Sequence, residues 1–97
     1  MNLKGRVENI QPSDCQLAVY INKEGWRNKP NKTTPATLIQ ENGQWVCDIT
    51  TEYGDHLAKD IAIFLLSKDV APVLLNGAEK IPESFEKKAL DKVLLKR

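Results

Sequence analysis

The sequence is poor in the residues that carry chemistry. It holds one histidine, two cysteines, and two each of tryptophan, tyrosine and phenylalanine in 97 residues. So few cysteines exclude a disulfide framework, and Cys15 and Cys47 lack any metal-ligand spacing. The five glycines are scattered, which excludes a phosphate-cradling loop. No apolar run approaches the roughly 20 residues that span a bilayer; the longest, 61–66, is strand-sized. Neither sign of charge dominates. Fourteen Lys and Arg face thirteen Asp and Glu, a net charge of +1, so bulk charge recruits neither nucleic acid nor an anionic membrane. Residues 1–20 contain no apolar core of a secretory signal. A native start at Met1 would therefore place the chain in the cytoplasm, whereas an excised module would leave its compartment open.

What is present is alternation. A chain of this size buries roughly 60–65% of its unfolded surface, enough for one core and one domain over 1–97. Residues 3–10 read as a strand, with Leu3, Gly5 and Val7 on one face. The clearest strand is 15–22, where Cys15, Leu17, Val19 and Ile21 alternate with a more polar set of Gln16, Ala18, Tyr20 and Asn22. Short strands are predicted at 26–29 and 37–40. Asn42-Gly43 marks a hairpin turn, because it readily adopts positive φ, and Trp45, Cys47 and Ile49 then share one face of a strand over 45–50. Residues 55–66 fit either a helix capped by Asp55 or a helical turn followed by a buried strand. The tail, 85–97, is ambiguous: Phe85, Ala89 and Val93 fit a helix after Pro82, whereas 92–96 fit a last strand. About seven short strands separated by turn signals predict an all-β sandwich of the immunoglobulin or fibronectin type III kind, with room for one short helix.

Catalytic readings find little support. His56 lies beside Asp55 and near Asp60, but Ser13, Ser67 and Ser84 fall in turns, so no nucleophile, base and acid form a set. Asp48, Glu52, Asp55 and Asp60 do not match a calcium loop and read as a solvated polar edge. The expectation is a chain that is no enzyme, with no cofactor and no metal. The scattered lysines and arginines lie among acidic residues and read as a solvated surface.

Binding is the remaining possibility. Trp45, Phe64 and Phe85 read as core. Trp26, Tyr20 and Tyr53 are the candidates for exposed rings, and Arg27, Asn28 and Lys29 supply polar groups beside Trp26. An exposed aromatic face stacks on the C–H face of a sugar while such groups bond its hydroxyls. These six residues therefore make a candidate site for a polysaccharide or oligosaccharide. The competing expectation is a spacer or protein-interaction module, which wins if Trp26, Tyr20 and Tyr53 do not share one open surface.

Several blocks in order carry a resemblance: Leu17-Ala18-Val19-Tyr20-Ile21, Gly25-Trp26-Arg27-Asn28-Lys29-Pro30, Asn42-Gly43-Gln44-Trp45-Val46-Cys47-Asp48-Ile49-Thr50-Thr51, then Asp55, Ala58 and residues 61–66. Together they resemble a small β-sandwich accessory domain appended to secreted bacterial carbohydrate-active enzymes such as glycoside hydrolases. The resemblance implies strand rather than helix at 61–66, a final strand, and an extracellular module beside a catalytic domain in a longer chain. The sequence departs from that pattern at Arg27, where the family has a second tryptophan, at Glu52-Tyr53, where it has two glycines, and at Leu57, where it has a tyrosine. The missing tryptophan weakens the sugar-stacking expectation.

Overall fold

Residues 15–22 and 60–67 pair over eight positions, from Cys15 opposite Ser67 to Asn22 opposite Asp60, and this ladder organises the rest. The computed structural model describes residues 1–97. Its strands are β1 (Asn2–Arg6), β2 (Cys15–Asn22), β3 (Trp26–Lys29), β4 (Ala36–Leu38), β5 (Gln44–Asp48), β6 (Asp60–Ser67), β7 (Asn76–Ala78) and β8 (Asp91–Lys96). One short helix, α1 (Glu83–Glu86), and 3-10 turns at Pro12–Asp14 and Asp55–Leu57 complete the fold. All strand pairs are antiparallel. β1 and β5 form a two-stranded sheet; the larger sheet runs β7-β3-β2-β6-β8, with β4 also pairing with β2. The expected all-β sandwich is borne out, with eight strands and one short helix.

The two faces of the β2–β6 ladder serve two cores. On one face, Leu17, Val19, Ile21, Ile61 and Ile63 pack against Trp45, Cys47 and Ile49 of the small sheet and its extension. On the other, Ala18, Tyr20, Ala62, Phe64 and Leu66 pack against Leu75 and Phe85. Tyr20, Phe64 and Phe85 meet edge to face, with ring centroids 5.2 to 6.0 Å apart, each such pair adding about 0.5–1.5 kcal/mol beyond its buried area. The expectation of one polar face on β2 is thus corrected. Period-2 alternation marks a strand but does not reveal a second cover, and the irregular chain after β6, with α1, supplies one.

The ambiguous segments divide between their alternatives. Residues 55–57 form a 3-10 turn and 60–67 a strand; the tail contains both α1 and β8. β1 ends earlier than the predicted 3–10, and Asn9 adopts positive φ. At the Asn42-Gly43 turn, Gly43 N–H donates to the Gln40 carbonyl and Gln40 N–H to the Gln44 carbonyl, each at 2.8 Å. Yet β4 pairs with β2 and β5 with β1. The turn therefore carries the chain from one sheet to the other and shuts that side of the sandwich. Gly43 has φ +85°, and a Cβ there would lie 2.3 Å from the Val7 carbonyl oxygen. Cys15 and Cys47 are buried free thiols.

Candidate functional site

The six residues singled out for sugar binding do not form one open surface. Tyr20 is fully buried, and its hydroxyl donates to the Val73 carbonyl at 2.8 Å. Burial pushes its phenol pKa up, against the lowering influence of Asn28 and the Val73 carbonyl. Asn28 is buried as well: Nδ2 donates to the Val73 carbonyl at 2.9 Å, and Oδ1 accepts from Leu75 N–H at 2.6 Å. Trp26 is half-buried against the second core. Arg27 donates through Nε to the Lys23 carbonyl and through Nη1 to Asn76 Oδ1. Only Tyr53 stands free, wholly exposed. The expectation that Tyr20 is an exposed ring, and that Asn28 and Lys29 offer free polar groups, is corrected. Their strands lie inside the large sheet, and the chain segment containing Val73 and Leu75 takes up the side-chain hydrogen bonds of Tyr20 and Asn28.

Lys29 leads to a buried ionic centre that sequence reading did not identify. Its side chain is 1% exposed, and its Nζ lies 2.5 Å from Asp55 Oδ2; Asp55 is fully buried. The same Nζ donates to Thr51 Oγ1 at 3.1 Å, and the Thr51 hydroxyl donates to the Pro30 carbonyl. Glu52 N–H donates to Asp55 Oδ2 at 2.9 Å. Lys23 Nζ sits 3.0 Å from Asp55 Oδ1 as an ion pair without hydrogen-bond geometry, and donates to the Tyr53 carbonyl. Arg97 donates to the backbone carbonyls of Asp55 and Ala58, each at 2.9 Å. Burial alone would raise the Asp55 carboxyl pKa; the bonds from Lys29 and Glu52 N–H, with the adjacent Lys23 ammonium and the charge of Lys29, outweigh it and hold the group below the usual carboxylate range. Asp55 is thus no member of a solvated acidic edge. A charge this deep requires such partners, since an isolated buried carboxylate is strongly unfavourable. The signal available in the sequence was indirect: Lys29, Thr51, Asp55 and Ala58 all fall within the resembling blocks, which the structure brings together at one place.

An apolar concavity lies elsewhere, on the side left open between the sheets. β1 pairs only with β5 and β8 only with β6. Between the two edges runs an open groove of about 520 Å³, lined among others by Val7, Trp45, Ile63, Leu65, Leu90 and Val93. The Trp45 indole lies against Gly5, its cross-strand partner, where a Cβ would come within 2.6 Å of the ring. Val93 and Leu95 stand opposite Ile63 and Ile61 on the face turned toward the small sheet, yet both are exposed because that sheet has no third strand over them. Leu94 points to the other face and is 63% exposed.

His56 is exposed on its 3-10 turn, next to an Asp55 already engaged with Lys29. No three His, Cys, Asp or Glu side chains converge as metal ligands. No helix is long and apolar enough to cross a membrane. Comparison with protein-family models, with curated proteins and with solved structures finds no match to this chain.

Proposed function

We propose that this chain is a non-catalytic β-sandwich module that works as a spacer or protein-interaction domain rather than as a carbohydrate binder. One observation carries the reading: the aromatic and polar residues of the expected sugar platform are engaged within the fold. Tyr20, Asn28 and Lys29 are buried and satisfied, Arg27 is bonded to Lys23 and Asn76, and Tyr53 stands apart from any buried ring. Exposed Leu90 and Val93 line the groove beside β1, with exposed Leu95 on the same face of β8 as Val93, and an exposed apolar groove of that kind favours contact with another chain. The resemblance adds a context, an accessory domain beside the catalytic domain of a secreted enzyme. In that context the module spaces or docks its neighbours.

The test is a titration of the chain with soluble β-glucan and mannan, followed by tryptophan fluorescence, together with retention on insoluble cellulose and chitin. The expected result is no fluorescence shift and no retention. A saturable shift lost in Trp26→Ala would overturn the interaction reading and restore the carbohydrate one.

A further inference from the structure

The free edge of β1 is a half-finished ladder. Val7 N–H donates to the Gly43 carbonyl and Met1 C=O accepts from Ile49 N–H, so odd-numbered residues of this edge turn their backbone groups toward β5. Antiparallel geometry then directs the N–H and C=O groups of Asn2, Lys4 and Arg6 away from β5, toward the open side. An extended segment added there would be the third strand that the small sheet lacks. Its inward side chains would fall beside Leu3, Gly5 and Val7, over the groove floor of Ile63, Leu65 and Val93. Its outward side chains would lie beside Lys4 and Arg6, both exposed and neither in any ion pair of the molecule.

We propose that the β1 edge and the groove beside it bind an extended peptide strand of another protein, one that alternates apolar residues with acidic ones. The mode is strand addition, in which main-chain bonds hold the peptide and alternate side chains select it. Charge complementarity chooses the occupant. Cross-strand opposite charges stabilise a pair and like charges oppose it. A second copy of the chain fits poorly. Antiparallel β1–β1 pairing centred on Lys4 sets Lys4 against Lys4, and pairing shifted by one step sets Lys4 against Arg6. Pairing with another copy's β8, its Val93 and Leu95 turned into the groove, sets Lys92 and Lys96 on the side of Lys4 and Arg6. The same basic residues that keep copies apart admit an acidic-outward strand. This inference rests on the interaction reading above and names its surface.

The experiment uses the full chain, isotopically labelled, titrated with an acetylated, amidated Glu-Val-Glu-Val-Glu-Val peptide, its Lys-Val counterpart, and a proline-interrupted control. The expected result is saturable amide shifts at Asn2, Lys4, Arg6 and Val93 with the acidic peptide only. Lys4→Glu with Arg6→Glu, both at exposed positions, weakens that binding about tenfold, the effect of two reversed cross-strand charge pairs, and transfers preference to the Lys-Val peptide. Val93→Asp abolishes binding while the rest of the spectrum is unchanged. Absence of shifts with the acidic peptide, indifference to charge reversal, or shifts confined to residues away from β1 and the groove would overturn the proposal. So would dimerisation of the free chain through β1. These outcomes leave the broader interaction reading standing, because only the polysaccharide titration bears on that.

Discussion

The two sides of the sandwich are built on opposite terms. On the side of β3 and β4, the chain crosses between sheets at Asn42-Gly43, and the buried Lys29–Asp55 pair draws in Thr51, Glu52, Lys23 and, through Asp55's backbone, Arg97. Each polar group buried there has an internal partner or an opposite charge. On the side of β1 and β8, two strands end their sheets with free backbone and exposed Val93, Leu94 and Leu95. The closed side was rich in the residue types that sequence reading associates with binding, and it uses them structurally. The open side is plain in sequence and is where surface remains available. Polar residue type alone therefore does not locate a site; its hydrogen-bond partners must be counted first.

The largest expected effect breaks the closed side. Asp55→Ala leaves Lys29 buried without its counter-charge and is expected to lower unfolding stability by about 3–5 kcal/mol, measured by urea denaturation. Lys29→Met combined with Asp55→Leu removes both charges and is expected to cost less than the sum of the two single changes, since a buried pair replaced by apolar groups sheds its desolvation penalty. Equal additivity would show that the pair is not one unit.

Next comes the seam between the two sides. Gly5→Val inserts a side chain where Trp45 already lies, and a cost of about 1–3 kcal/mol is expected from overpacking. Thermal denaturation checks it, and an unchanged midpoint would mean that Trp45 yields readily to the groove.

Acid should act on the closed side as well. The Asp55 pKa is depressed in the folded state, so its contribution is present above the unfolded carboxylate value, near 3.9, and is lost as pH falls through the folded value. Stability measured from pH 6 downward is expected to decline below about pH 4, with a shallower decline in the variant lacking both Lys29 and Asp55. Identical slopes would remove Asp55 from the account.

The smallest effect belongs to the open side. Leu94→Lys replaces an exposed side chain on an edge strand and should change stability by less than about 0.5 kcal/mol. A larger loss would show that β8 is covered in solution.

The sequence made the architecture legible where one face of a strand meets one core. Leu17, Val19 and Ile21 marked β2, and Trp45, Cys47 and Ile49 marked the strand opposite, because period-2 burial is written directly into residue order. It hid the second core. Tyr20 carries a polar atom, and only the fold shows that Val73 accepts its hydrogen. It hid the ionic centre for a related reason. Lys29 and Asp55 are 26 residues apart, and nothing local distinguishes a charge destined for the interior. The groove was not legible either, since an unfinished sheet is a property of topology and the exposure of Val93 depends on a strand that is missing above it.

The two thiols turn this architecture into a clock. Cys47 rides on the small sheet and Cys15 on the large one, both facing the same interior. A maleimide reaches either only when the layers part, because a shielded thiol does not react. If the two-stranded layer swings away as a local opening, both sulfurs label together, faster than global unfolding allows. Labelling at the rate set by global unfolding would mean that the layers never separate on their own. An added strand that secures the small sheet should slow that clock, so covalent modification would report occupancy from inside the protein, far from the peptide itself.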